Sequence, residues 1–272
     1  MTLSVVIPTK NEAANIAACI RAFDGVRDRV EVIVVDNAST DGTPALAAKL
    51  GAHVFAQGPE RCAQRNRGGR EATGDVLLFV DADMTLPAAT IDEILARCSP
   101  ATPSGTARQP PCLYIPEQRV GTGLRLAARN FERSFYDGTC IDGLRVIPRA
   151  LFEQVGGYDE SLVACEDWDL DRRILATGAE TARTRGALIH NEANQGLRRL
   201  LAKKAYYSAS VAAYRRKWGD DAICGKQFGL AYRYFGVFVE NGKWKRLVAH
   251  PVLAAIMYAE RILVGLTYLL HR

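Results

Sequence analysis

Ser4-Val-Val-Ile7, Val30-Glu-Val-Ile-Val-Val35 and Val76-Leu-Leu-Phe-Val80 are the stretches whose reading decides the fold. Each is short, rich in β-branched residues and bounded by turn residues, the pattern of parallel strands buried on both faces. Between them lie helical stretches at Glu12–Phe23, Thr43–Leu50 and Glu60–Ala72. The second opens with Thr43-Pro44, read as a hydroxyl N-cap followed by proline at the first helical position. Strand and helix alternate through residue 97, which predicts an α/β, doubly wound sheet with right-handed crossovers. Ligands on such sheets bind beyond the carboxyl ends of the strands, so the residues that end each strand are the first place to look for chemistry.

Residues 99–119 hold five prolines and little periodicity, and read as a loop between two halves of the body. A helix at about Val120–Phe135, a strand near Ile141–Ile147, a turn at Gly156-Gly157-Tyr158-Asp159 and a helix at about Asp167–Ala176 follow. After His190 the character changes. Gly196–Trp218 reads as a long basic amphipathic helix. Leu247–Leu270 is strongly apolar but interrupted by Pro251 and by Glu260-Arg261. A charged pair near the middle of such a stretch argues against a clean transmembrane helix, leaving an interfacial or re-entrant helix, or one packed on the core. The expected organisation is a body over residues 1–194 and a helical extension over 195–272.

With 48% hydrophobic and 24% charged residues, the chain has a globular composition, which excludes disorder and a purely membrane-embedded protein. Seven cysteines are scattered singly with no C-x-x-C, the pattern of reduced thiols rather than a disulfide framework or a zinc site. The first apolar run begins almost at Met1, with no basic leader before it, so the expectation is an unexported, cytoplasmic chain. Charge is uneven: residues 1–194 carry 21 basic and 26 acidic side chains, whereas 195–246 carry 12 and 3. That basic segment suits anionic lipid headgroups and predicts peripheral attachment to the cytoplasmic face of a membrane. No groove-reading or RNA-binding motif accompanies it, so nucleic acid is not an expected partner.

Asp81-Ala82-Asp83 follows the third apolar run. Two carboxylates at i and i+2 beyond a buried strand suit a Mg²⁺ or Mn²⁺ that also touches a diphosphate, where the ion does Lewis-acid work. They equally suit a turn before the helix at Pro87. The neighbouring strand ends narrow the choice. Pro8-Thr9-Lys10-Asn11-Glu12, Asp36-Asn37-Ala38-Ser39-Thr40-Asp41-Gly42-Thr43, Arg65-Asn66, Asp75 and the D-x-D, taken jointly, resemble glycosyltransferase family 2 over about residues 3–192.

The resemblance implies a GT-A type, Rossmann-like doubly wound mixed sheet with a helical C-terminal extension, and a single-sugar, membrane-associated, inverting transferase. It places Pro8, Thr9 and Glu12 beside the nucleotide and Asp36 as acceptor of a hydrogen bond from the base or ribose. Arg65 would hold the base side, Asp81 the ribose or metal, and Asp83 the Mn²⁺ or Mg²⁺. Gly156-Gly157-Tyr158-Asp159-Glu160 followed by Glu166-Asp167 looks like the family's G-G-[FY]-D-E…E-D segment. This implies that Asp167 is the general base and that Glu166 supports it or binds the acceptor. His190 resembles the histidine that closes the metal and diphosphate site. The implied partners are a nucleotide-sugar donor, with UDP first, and a glycan or lipid-linked acceptor.

Each residue also has a plain structural reading. Asp36 suits an Asx-turn, Arg65 and Arg61 a solvated helix face, and Glu166 and Asp167 a helix N-terminus favoured by the macrodipole. His190 suits a hydrogen-bonded core position. The chain departs from the processive members of the family: Gln195-Gly-Leu-Arg198 is followed by Arg199, not tryptophan. Two further acceptor and function classes stay open, a polyprenyl phosphate acceptor and a nucleotide- or glycan-binding protein without turnover. A nucleotidyltransferase is disfavoured because Pro8-Thr9-Lys10-Asn11 contains no glycine.

Overall fold

The computed structural model describes residues 2–99, 109–191, 211–219 and 221–270. The chain divides into two compact units, Met1–Pro116 with Gly143–Asn191, and Glu117–Asp142 with Glu192–Arg272. The expected organisation drew one boundary, at 194/195, and had no counterpart of the excursion over 117–142.

The first unit is built on a seven-stranded mixed sheet. Its strands are β1 (Leu3–Thr9), β2 (Val30–Asp36), β3 (His53–Ala56), β4 (Val76–Phe79), β6 (Cys112–Tyr114), β8 (Val146–Pro148) and β9 (Thr181–Arg183), in the order β3-β2-β1-β4-β8-β6-β9. The strands β3, β2, β1 and β4 run parallel, and β8 lies antiparallel to β4. All seven residues of β1 are buried, and alternate side chains enter opposite layers. Val5 and Ile7 pack with Ile16, Ile20, Ile91 and Ile94. Val6 packs on the other side with Cys62, Phe152, Leu170 and Ile174. Helices α1 (Ile16–Arg21), α2 (Thr43–Lys49) and α4 (Ala88–Cys98) therefore cover one face, and α3 (Arg61–Glu71), α6 (Arg149–Gln154) and α7 (Glu166–Leu175) the other. This is the doubly wound, mixed α/β architecture expected.

Local differences have physical reasons. The strand expected over Ile141–Ile147 is confined to β8, because Thr139–Asp142 close a turn and the ladder with β4 pairs only Val146–Pro148. The helix expected from Glu12 starts at Ile16, since Glu12–Asn15 form a turn in which the Asn15 N–H donates to the Glu12 carbonyl at 2.9 Å. Thr43 does not cap α2. Gly42, at φ 84°, holds the cap position, and Thr43 Oγ1 instead accepts from the Glu12 N–H at 2.9 Å. A short pair, β5 (Met84–Thr85) and β10 (Leu188–His190), forms an antiparallel ladder with His190 opposite Met84.

Glycine decides how closely α3 approaches the sheet. A Cβ on Gly68 would run into Val6 Cγ1, and one on Gly69 would lie 2.7 Å from Phe152 Cε1. Overpacking of this kind costs about 1–3 kcal/mol, so Gly68→Ala is expected to lower the urea midpoint accordingly without changing the m-value.

The second unit contains β7 (Glu117–Arg119), α5 (Leu124–Arg133) and a run of C-terminal helices. Residues 211–218 are helical; the remainder of the expected basic helix, 196–210, lies outside the described residues. The apolar stretch forms two helices, Trp244–Ala249 and Pro251–Leu270. Pro251 opens the second at its first position, where its missing N–H costs nothing. Among the described residues no helix is long and apolar enough to cross a membrane.

Candidate functional site

Gln64, Arg65 and Asn66 are consecutive on α3 and only 2%, 1% and 8% exposed. Successive helical residues point about 100° apart, so the three reach different parts of the first unit. Gln64 Nε2 donates to the carbonyls of Thr9 at 2.9 Å and Val35 at 2.6 Å, tying together the carboxyl ends of β1 and β2. Asn66 clamps the glycine turn: its Nδ2 donates to Tyr158 O at 2.9 Å and its Oδ1 accepts from Tyr158 N at 2.8 Å. That clamp needs Gly157, whose φ is 69° and whose Cβ, if present, would stand 2.6 Å from Asn66 Oδ1.

Arg65 joins the two acidic segments. Its Nη2 donates to Asp81 Oδ1 at 2.9 Å, and its Nη1 to Glu166 Oε1 at 3.3 Å and Asp167 Oδ1 at 3.1 Å. The guanidinium also lies 5.1 Å from the Tyr158 ring centroid. Burial disfavours its charge, but the carboxylates, led by Asp167, outweigh that and keep it protonated. Of the two expectations for Arg65, the solvated helix face does not hold, because the residue is 1% exposed and its terminal nitrogens are engaged by carboxylates of this chain.

The acids differ in what surrounds them. Burial opposes ionisation of Asp81, but Arg65, with Arg61 and Arg145, holds it well below the usual carboxylate range. Burial pushes Glu166 up, and the adjacent Asp167 adds to this, against Arg61 and Arg65. Glu166 is 4% exposed, whereas the Asp167 side chain is 38% exposed. Of the two, only Asp167 offers a face to an incoming group. Gly143 makes room for it, since a Cβ there would lie 3.1 Å from Asp167 Cβ.

Asp83 faces a different partner. Its Oδ2 lies 3.1 Å from His190 Nε2, and its carbonyl accepts from the Asn191 N–H at 2.8 Å. The β5–β10 ladder brings this pair together across 107 residues of sequence. Asp81 and Asp83 thus engage separate groups. Among the described residues no cluster of three or more His, Cys, Asp and Glu side chains forms a ready-made metal cage. A carboxylate and an imidazole side by side nevertheless form an oxygen and nitrogen donor pair that fits Mn²⁺, with the oxygen-preferring Mg²⁺ relying on Asp83.

At the ends of β1 and β2, Thr9 pairs in register with Asp36. Asp36 is 5% exposed; it accepts from Thr9 Oγ1 at 3.3 Å, Ser39 Oγ at 2.5 Å and Ser39 N at 2.8 Å. Pro8 is buried within β1, opposite Val35. The loops after the two strands are laced together: Asn11 N donates to Ser39 Oγ at 2.8 Å, Thr40 N to Asn11 Oδ1 at 2.8 Å, and Ala13 N to Asp41 Oδ2 at 3.0 Å. Glu12 accepts from Asn15 Nδ2 at 2.8 Å. Gln64 is the contributor that the sequence reading missed, because a polar residue between Ala63 and Arg65 carries no periodic signal of its own. All seven cysteines are free thiols, and burial raises Cys62, Cys98 and Cys112 to about 12, so none of these three is a nucleophile at neutral pH.

The family model described as Glycosyl transferase family 2 matches residues 4–112. A pre-mycofactocin glycosyltransferase of Mycobacterium tuberculosis is 27% identical over 229 residues, covering 77% of this chain and 47% of that protein. The chain therefore spans about half the length of that curated relative. Among solved structures, a mannosyltransferase from Pyrobaculum calidifontis, in complex with GDP-Man and Mn²⁺, superposes with a TM-score of 0.60 at 22% identity, over 96% of this chain and 75% of that one. Glucosyl-3-phosphoglycerate synthase from Mycobacterium tuberculosis, in complex with Mn²⁺, UDP and glucosyl-3-phosphoglycerate, gives 0.52 at 20% identity, over 78% and 79%. At these identities the structural likeness speaks to the fold alone.

Proposed function

We infer that this chain, which belongs to glycosyltransferase family 2 and has its GT-A fold, moves one sugar from a nucleotide diphosphate donor to an acceptor hydroxyl with inversion. The observation that carries this reading is the convergence of Asp81, Glu166 and Asp167 on the buried Arg65. One guanidinium fixes Asp81, just beyond β4, relative to an exposed carboxylate, as a single displacement requires.

In this reading the nucleotide lies over the ends of β1 and β2. Asp36, oriented by Thr9 and Ser39, accepts from the base or ribose, and Pro8, Thr9 and Glu12 border it. Mn²⁺ or Mg²⁺ held at Asp83 and His190, with Asp81 nearby, would neutralise charge developing on the leaving diphosphate. Asp167 takes the proton of the attacking hydroxyl, since it is both held by Arg65 and open on its other side. Glu166, buried and bonded to Arg65, positions rather than binds. The donor nucleotide is UDP and the acceptor a lipid-linked glycan, met at an anionic membrane surface on its cytoplasmic side, with 1–194 as catalytic part and 195–272 as extension. An ionised polyprenyl phosphate acceptor would have no use for a positioned base, which is why the hydroxyl acceptor is preferred.

The test is thermal unfolding with UDP, GDP, CDP or dTDP, each with and without Mn²⁺. A ligand at 100 times its Kd adds about 2.7 kcal/mol. The expected result is strong stabilisation by UDP only with metal, lost in Asp83→Ala. Stabilisation by no nucleotide would overturn the reading, and one by GDP alone would replace the donor.

A further inference from the structure

The helix Pro251–Leu270 is apolar on more than its packed side: Met257 is 1% exposed and Tyr258 packs on Phe238, yet further apolar residues face outward. Its two charged residues are both engaged within the unit. Arg261 Nη1 donates to Glu132 and to Tyr136 Oη, and its Nη2 to Arg233 O, while the guanidinium lies 5.1 and 5.0 Å from the rings of Tyr234 and Phe238. Glu260 accepts from Arg125 Nε at 2.6 Å. Both charges are thus satisfied by the unit's own groups. Among the residues of the helix whose burial is described, the exposed ones are Pro251 at its start and then five more, Val252, Ala255, Ala259, Ile262 and Leu263. At 3.6 residues per turn these five fall within an arc of about 100°, so they form one continuous apolar stripe.

The preceding helix continues this character. Trp244 and Val248, four residues apart, are 49% and 70% exposed, with exposed Lys245 and Arg246 between them. A soluble surface has no use for such an arrangement, because each exposed side chain of this size forgoes about 1.5–3 kcal/mol available on burial.

We propose that the stripe Val252–Ala255–Ala259–Ile262–Leu263, with Trp244 and Val248, lies flat in the headgroup region of an anionic lipid bilayer. Charge selects this occupant. Residues 195–246 carry 12 basic against 3 acidic side chains, so a net charge of +9 adjoins the apolar stripe in sequence. Negative headgroups complement it, whereas a second copy docking by the same face would set like charges against each other. An interfacial pose also suits Trp244 beside the exposed Lys245 and Arg246 and needs no spanning length. The inference deepens the membrane element of the proposed function and uses none of its transfer chemistry.

The experiment is flotation of the full chain with vesicles of phosphatidylcholine alone or mixed with phosphatidylglycerol. Wild type is expected to float with the anionic vesicles only, less so at high salt. The double variant Ile262→Asn, Leu263→Asn should bind at least tenfold more weakly with unchanged circular dichroism. Should that variant fail to fold, quenching of tryptophan emission by brominated lipid decides: Trp244→Phe should remove it. Three outcomes overturn the proposal: no flotation, equal flotation of the folded double variant, or a lipid-free dimer that this variant dissociates. A chain that floats but shows no nucleotide-dependent stabilisation keeps this inference and loses the transferase reading, and the converse holds equally.

Discussion

Asp167→Asn is expected to lower turnover about 10²- to 10⁴-fold, the range for loss of a positioned general base. Nucleotide-dependent thermal stabilisation should be unchanged. The amide oxygen of asparagine can still accept from Arg65 Nη1, which lies 3.1 Å from Asp167 Oδ1, so the loss would be of basicity and not of placement. Glu166→Gln is the control. Glu166 is 4% exposed and shares Arg65, so its substitution should disturb stability more than proton transfer. Single-turnover rates with a soluble acceptor measure the difference. Turnover within tenfold of wild type in Asp167→Asn would move the base elsewhere and leave these acids as helix-end structure.

Arg65→Met should destabilise the fold by about 3–5 kcal/mol, the cost of removing one member of a buried ionic cluster. The side chain is 2% exposed and faces Asp81, Glu166 and Asp167, which would be left with much of their mutual repulsion uncompensated. The deficit should depend on pH. Asp81 is held below the ordinary carboxylate range in the folded protein, so its contribution is present above the unfolded value of about 3.9 and fades as pH falls toward the folded one. In the variant that contribution is absent. Glu166, already raised by burial, takes up a proton still more readily. The gap between the proteins should therefore be widest near neutrality, narrow first as Glu166 protonates in the variant, and shrink through Asp81 only below about pH 4, as read from urea midpoints. A gap of less than about 1 kcal/mol at pH 7 would mean that the guanidinium balances little, as surface pairs do.

Arg65 also marks where sequence reading stops. That Ser4–Ile7, Val30–Val35 and Val76–Val80 are buried parallel strands follows from local composition, because a strand covered on both faces has no polar side to show. That their carboxyl ends carry Thr9, Asp36 and Asp81 is then a matter of counting, and the acids opening α7 sit where the helix dipole favours them. Local rules place these residues at strand and helix ends; the resemblance to glycosyltransferase family 2 is what assigned them roles.

Which side chains meet was decided by pairings between distant segments. Arg65 reaches Glu166 and Asp167 across 101 and 102 residues, and no periodicity near residue 65 distinguishes that end point from solvent. The separation of Asp81 from Asp83, one toward Arg65 and the other toward His190, depends on the β5–β10 ladder, a pairing of two-residue register too short to read in advance. The same holds for Glu260 and Arg261. In the sequence they interrupt an apolar run, yet in the fold both are paired within the second unit, while Val252, Ile262 and Leu263 of the same helix are exposed. Composition and period determined which elements exist and what chemistry their ends carry. Partners and facing came from tertiary contacts, because the energy of a charge depends on what lies within a few ångströms of it, and sequence distance does not specify that.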